Sequence, residues 1–545
     1  MKESNDILTL FESLNNHEVF TPPRLARELL SLIPKSVWSD PNTRVLDPCV
    51  KSGVFLREAM YLCFEGLRGK GSFKAQDGNT YNLEEPKQLM KHILKNMLFG
   101  ISTSELTGYL SRRTLYGVME ANTDKQTALI DAFGRSKNNH EWTEDEKVNF
   151  LIRNWFNDYY DHKMFNVLDY KGYEREGNIF YPREKVQKKV IEDGSYEIED
   201  TYYPFIEDNT EHSKIEQIRN GEMKFDVIIG NPPYQISDGG NAASAKPIYH
   251  KFVESAFSLS PKYISFIIPA RWYAGGKGLK NFRESMLLNT HVSHLIDYAN
   301  GKDCFPGTSI GGGVCYFLYN KSYTGPCQVT NINNGSSSVS KRSLSRYPFF
   351  IRDNKSVKII ESMGDKLKNS IASIISSRNP FGYPTKHRGK ETSFPSCLTL
   401  HSSQGISYVP REAESKYDTA IDSYNVIISR VTTEHANEPA KDGRFKVLST
   451  IKVIGPKEVC TDSYLRLGAF ETSEEAENLA AYLKTKTARF LLLQAITSIN
   501  LSSEKFIFVP LVDFSECWTD SKLKVHFSLS DEQVLYINAS MREID

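Results

Sequence analysis

Apolar positions along the first third of the chain alternate between two periods. In residues 24–34 (RLARELLSLIP) they fall at helical spacing and close on a proline, which predicts a helix. A short run, Arg44-Val45-Leu46, then leads into Asp47-Pro48-Cys49-Val50-Lys51-Ser52-Gly53, and helical spacing resumes in VFLREAMYLCFEGL. Strand, small-residue loop and helix in that order form the opening unit of a doubly wound sheet. Met97-Leu98-Phe99-Gly100-Ile101 reads as a further strand, followed by Thr103-Ser104-Glu105 and a helix around LTGYLSRRTLYG. Helix and strand alternate as an α/β fold requires.

From about 120 to 224 the pattern turns polar and irregular, which predicts an insertion rather than sheet core. Periodicity returns at Phe225-Asp226-Val227-Ile228-Ile229-Gly230, an apolar run suited to a central strand buried on both faces, and it delivers Asn231-Pro232-Pro233-Tyr234 to the strand end. A helix (YHKFVESAFSL) and strands (YISFIIPARW, then 313–319) follow, so the sheet is expected to end near 320. Beyond it come a Ser-rich stretch at 333–345, short β-favouring runs such as YNVIISRV, the helical EEAENLAAYLKTKTARFLLLQAI and a last helix near 530–543. The expected domains are 1–325, carrying the insertion, and 326–545.

Composition narrows the class. At 545 residues the chain exceeds one core, and 40% hydrophobic with 25% charged residues is ordinary for a globular protein. Lys plus Arg (67) equals Asp plus Glu (67), so contact with a polyanion has to come from local basic patches. There is no 18-residue apolar run and no signal-like start, so no membrane association and a cytoplasmic location are expected. The eight cysteines show no CxxC pair and no zinc spacing; reduced thiols and no metal site are expected.

Asn231 and Pro232 place a side-chain and a main-chain carbonyl oxygen side by side at a strand end, with proline stiffening their spacing. Two such acceptors can take both N–H groups of an exocyclic adenine amine. That localises its lone pair and stabilises the positive charge that develops when a methyl donor is attacked. Tyr234 offers a face on which an extruded base can stack. The plain alternative is a proline-bearing turn, and the buried strand before it with a nucleotide-binding unit upstream argues for the functional reading. In that unit Asp47 is placed to accept from a methionine ammonium, while Ser52 and Gly53 allow close backbone approach. Lys51 keeps it from being a GxGxxG loop. Glu105 is the nearest carboxylate for ribose hydroxyls, with helix capping as its alternative, and Asp169 is a weaker counterpart for the cofactor's adenine. Arg271, Trp272, Lys277 and Lys280 flank a glycine pair and form a basic loop suited to phosphates or a flipped strand, unless they are merely solvated. Lys484, Lys486 and Arg489 offer a backbone grip on similar grounds, though exposed helical cations are more often only solvated.

These residues resemble the gamma-class adenine-N6 DNA methyltransferases of restriction-modification systems. Val19-Phe20-Thr21-Pro22-Pro23 looks like the family's opening cofactor motif, VLDPCVKSGVFL like the next with Lys51 where glycine is usual, and FDVIIGNPPY like the catalytic motif. The resemblance covers roughly 17–118 and 225–320. It implies a class I S-adenosylmethionine-dependent methyltransferase: a doubly wound mixed sheet with a C-terminal α+β target-recognition domain. It also implies Thr21 and Pro22 beside the methionine moiety, double-stranded DNA as substrate, and a modification role whose nuclease or helicase-nuclease is a separate subunit. Two other readings stand beside it: methylation of RNA or of a protein glutamine, and a catalytically silent recognition or assembly subunit.

Overall fold

The computed structural model describes residues 21–102, 222–236, 246–275 and 278–544, apart from 307, 309, 334, 412–416, 435–438 and 497–498; between 103 and 221 it describes Ser111, Leu115 and three short strands. Glu105, Asp169, Lys277 and most of the expected insertion lie outside the described residues. Two compact units result, Met1–Ala270 with Lys277–Ser345, and Arg271–Gly276 with Arg346–Asp545.

In the first unit, helix α1 (Pro23–Ser31) starts on a proline, whose missing N–H falls where a helix has no acceptor for it, and turns Leu25, Ala26, Leu29 and Leu30 inward. Strand β1 (Val45–Val50) is buried along its whole length and runs into helix α2 (Val54–Leu67). Next come β2 (Leu98–Ser102), β3 (Ile179–Phe180), β4 (Val227–Gly230), α3 (Tyr249–Ser258), β5 (Tyr263–Pro269), α4 (Lys280–Leu288), β6 (Val292–Tyr298), β7 (Val314–Asn320), β8 (Cys327–Asn333) and β9 (Ser336–Arg342). They form one sheet in the order β9-β8-β6-β7-β5-β4-β1-β2-β3. The run from β3 to β5 is parallel, and β7 enters antiparallel between β5 and β6. This is the doubly wound mixed sheet expected. From β1 the chain winds outward through β2 and β3 and then restarts on the other side at β4, so the crevice at the carboxyl ends of β1 and β4 is the switch point where such sheets take ligands.

Two local differences from the sequence reading have simple causes. Strand β1 continues through Asp47 to Val50 because an irregularity between those residues absorbs the turn, with Asp47 opposite Gly100 and Val50 opposite Ser102. The sheet also extends past 320, so the first unit closes at 345 rather than 325. Cys327–Asn333 alternates buried and half-buried residues, and the Ser-rich stretch beyond it pairs as edge strand β9, where small polar side chains and Lys341 suit solvent.

The second unit is α+β. It holds sheets β11-β10-β14 and β13-β12-β15, made from β10 (Cys397–Ser402), β11 (Gly405–Pro410), β12 (Tyr424–Ser429), β13 (Ile451–Ile454), β14 (Glu458–Cys460) and β15 (Tyr464–Phe470). Helices α5 (Asn354–Met363), α6 (Ser473–Lys484), α7 (Lys486–Leu493), α8 (Asp520–Phe527) and α9 (Asp531–Ser540) accompany them. The single helical stretch expected at 474–496 breaks at Thr485, which leaves helical geometry and caps α7 through Ala488 N–H.

Candidate active site

Asp226 fixes the far end of the central strands. Its carboxylate accepts from Arg44 N–H at 2.9 Å and pairs with Lys262 at 2.8 Å, where Val45, Val227 and Tyr263 lie side by side. With that end pinned, the apolar residues of β4 carry the chain to Gly230 and Asn231 at the switch point. A Cβ on Gly230 would stand 2.8 Å from Asp47 Oδ1 and 2.9 Å from Cys49 Sγ. Glycine is therefore what allows β4 to end against the Asp47 loop.

Asn231, Pro232 and Pro233 are buried, and Tyr234 is partly buried. Asn231 Nδ2 donates to Thr21 Oγ1 at 3.1 Å, joining two side chains 210 residues apart, each about as buried as core (3% and 4% exposed). Burial raises the Tyr234 phenol well above its ordinary range, and its hydroxyl, enclosed and without a hydrogen-bond partner among the described residues, stays protonated. A two-residue ribbon, Gln235–Ile236 against Lys246–Pro247, receives the chain beyond it.

On the β1 side, Asp47 is almost fully buried and accepts from Cys49 N–H at 3.1 Å. Burial pushes its carboxyl up to about 7; the bonds to Cys49 and the charge of Lys51 pull the other way. Cys49 lies where the two strand ends meet, its sulfur close to the Cα of Gly230 and its thiol sensing the Asp47 carboxyl and the Asn231 backbone. Its thiol is raised well above the usual range, first by burial and then by the Asp47 charge. Lys51 is itself buried (7% exposed) beside this carboxylate, and Ser52 is buried next to it. Gly53 caps α2 with φ +80°, and a Cβ there would sit 2.9 Å from Ser111 Cα, so both its conformation and its space require glycine. A buried carboxylate at the end of a central strand suits the ammonium of S-adenosylmethionine. Asp47, Ser52 and Gly53 are the residues present that fit it.

The structure gathers Thr21, Asp47, Gly53 and Asn231 in one unit. Thr21, which its motif assigns to the cofactor, turns its hydroxyl to Asn231, and Pro22 stands at the N-cap of α1. Cys49 was missed from the sequence, because nothing in a lone apolar-context cysteine signals a contact across strands. The basic loop differs more. Arg271 and Lys280 are exposed, but Trp272 is wholly buried in the second unit, its ring 4.8 Å from Tyr273 and 6.2 Å from Phe350. A ring that large gains more from the aromatic core than from solvent, so it does not stand on a surface loop. Arg489 is likewise buried and donates to the carbonyls of Lys484 and Lys446, while Lys486 pairs with Glu543.

A family model described as the Eco57I restriction-modification methylase matches residues 96–305. A protein of Mycoplasma pneumoniae named an uncharacterized adenine-specific methylase is 33% identical over 332 residues, 59% of this chain and 72% of that one. Among solved structures, the type I restriction-modification methyltransferase subunit of Streptococcus thermophilus aligns at 13% identity over 60% of this chain and 50% of its own, with a TM-score of 0.31. The type IIL restriction-modification enzyme MmeI, solved in complex with DNA, aligns at 12% identity over 95% of this chain and 70% of its own, with a TM-score of 0.44. The chain thus spans about half the length of the type I subunit it matches. Among the described residues no helix is long and apolar enough to cross a membrane.

Proposed function

The chain belongs to the Eco57I restriction-modification family of adenine-specific methylases, and from that premise we propose that it methylates the 6-amino group of a flipped adenine in a specific duplex DNA sequence. The observation that carries this reading is Asn231-Pro232-Pro233-Tyr234 at the carboxyl end of β4, held against Asp47 through Gly230. S-adenosylmethionine, when bound, supplies an electrophilic methyl group. Asp47 would take its ammonium as a carboxylate, and Ser52 and Gly53 would line the turn beside it. Glu105 and Asp169 are proposed for its ribose and adenine, and Pro22 packs beside the methionine portion.

On the substrate side, Asn231 Oδ1 and the Pro232 carbonyl each accept one N–H of the amine. They draw its lone pair out of conjugation and hold the charge that appears on nitrogen. The partly buried Tyr234 ring stacks the extruded base, and its phenol stays neutral because burial disfavours the phenolate. Cys49, with its raised thiol, supports the strand ends and is no nucleophile; transfer is direct, without a covalent enzyme-DNA adduct.

The second unit is proposed as the target-recognition domain, residues 346–545 with 271–276. Its support is local charge: residues 366–390 carry six Lys or Arg and no Asp or Glu, and though Lys368 pairs with Asp365 and Arg378 with Asp462, the stretch stays basic in a protein of zero net charge. In the same stretch Arg388 is held by Gln404 Oε1 and by the carbonyls of Thr385 and His387 at 2.7–3.0 Å. Lys390 bridges Tyr408 of β11 through both main-chain bonds. A backbone held in this way, with the Arg388 guanidinium anchored beside it, presents cations suited to phosphates. Arg271, Lys277 and Lys280 are proposed as further phosphate contacts, and a separate nuclease or helicase-nuclease subunit as partner. Incubating the protein with tritiated S-adenosylmethionine and duplex DNA, RNA or protein acceptors tests the reading. Label is expected in N6-methyladenine of duplex DNA, and label confined to RNA or to glutamine would overturn it.

A further inference from the structure

The bond between Asn231 and Thr21 has a consequence for the reaction. An adenine amine is a donor on both N–H groups, so a productive Asn231 amide presents Oδ1 to it and turns Nδ2 the other way. That nitrogen then lies in a buried setting, where a donor without an acceptor is costly. Thr21 Oγ1 is the acceptor that meets it, at 3.1 Å, from the residue before Pro22, the N-cap of α1. Both side chains are too enclosed for water to replace the hydroxyl easily.

We propose that Thr21 is a positioning residue for catalysis. Its hydroxyl holds the Asn231 amide with Oδ1 toward the target amine, and its principal role is this one rather than binding the methyl donor. The proposal rests on Asn231 being the amine acceptor. Thr21→Val keeps the shape and removes this acceptor, so the productive amide orientation loses the bond that Thr21 gives to Nδ2. Thr21→Ser keeps the acceptor.

The test measures kcat on saturating duplex DNA, together with the calorimetric Kd for S-adenosylmethionine, for both variants and for Asn231→Ala. For Thr21→Val, kcat is expected to fall about 10-fold to 100-fold, the cost of one unsatisfied buried donor, with the donor Kd within about 3-fold of the parent. Thr21→Ser is expected to retain kcat within about 3-fold. Should Thr21→Val fail to fold, Thr21→Ala carries the same expectation. An unchanged kcat, or a donor Kd that rises while kcat holds, would overturn the positioning role and return Thr21 to the cofactor. If Asn231→Ala itself remains active, the underlying reading of Asn231 fails instead, and the two failures are told apart by that variant.

Discussion

Gly230 lies so close to Asp47 that a single added methyl group would stand 2.8 Å from the carboxylate oxygen. The strand that delivers the amine acceptors and the loop assigned to the methyl donor are therefore in register through one missing side chain. Gly230→Ala is expected to lower stability by about 1–3 kcal/mol, as overpacking of a closed site does, and to weaken donor binding by displacing Asp47. Thermal melts and calorimetry check both; an alanine variant that melts and binds as the parent does would mean that the two strand ends do not touch in solution.

With Asp47 as the proposed partner of the donor's ammonium, donor binding acquires a pH dependence of definite sign. Burial raises its carboxyl to about 7, above the ordinary value, so folding favours the protonated form. Its contribution to stability is full below the ordinary carboxylate value and is lost as pH rises through about 7. Binding runs the other way, since an ammonium prefers the carboxylate. Donor affinity is expected to rise from about pH 6 to about 7.5 and to decline once an α-amino group, ordinarily near about 7.7–8.0, loses its proton. In Asp47→Asn the acid limb disappears and affinity drops about 10-fold or more, by loss of a charged hydrogen bond. Calorimetry across pH checks this, and an acid limb that survives in Asp47→Asn contradicts it.

Lys51 stands where the related motif has glycine, and its charge acts on the same carboxyl, against the effect of burial. Replacing it with an uncharged side chain of similar length, Lys51→Met, is expected to move the acid limb of donor binding to higher pH. An unmoved limb would separate Lys51 from Asp47 electrostatically. Complete loss of donor binding in the parent protein, even with DNA present, would instead favour a catalytically silent subunit.

Lys386, Arg388 and Lys390 belong to a segment that could not sit where it does without Gly389, whose Cβ would come 2.4 Å from the Tyr408 carbonyl oxygen. Changing the three cations to Gln is expected to weaken DNA binding and to flatten the dependence of log K on log salt by about 0.9 for each phosphate no longer neutralised. Donor affinity should not change. An unaltered salt slope would remove this segment from the DNA interface.

Much of the first unit was legible because its apolar runs have a period that tertiary structure cannot easily override. Val227–Gly230 is buried on both faces and reads as a central strand, which by itself puts Asn231 at a strand end. The meeting of side chains distant in sequence was not legible. Thr21 read as a cofactor residue from its motif, and only the fold brings its hydroxyl to Asn231. Trp272 read as a surface aromatic because glycines and lysines follow it, yet the stretch folds back on Phe350. The edge hairpin after 325 was hidden by serines, which carry little strand signal until a partner strand supplies the pairing. The raised carboxyl of Asp47 likewise depends on burial, a property of the assembled sheet and not of the motif.

Asn231 is proposed to accept from the amine that is methylated. This is tested most directly by transfer of tritiated methyl to adenine in duplex DNA by the parent protein and by Asn231→Ala, with donor affinity measured alongside. N6-methyladenine is expected with the parent, a loss of about 100-fold to 1,000-fold with Asn231→Ala, as for removal of a key charge-stabilising group, and donor binding that is nearly unchanged. Methylation by Asn231→Ala at the parental rate would contradict it.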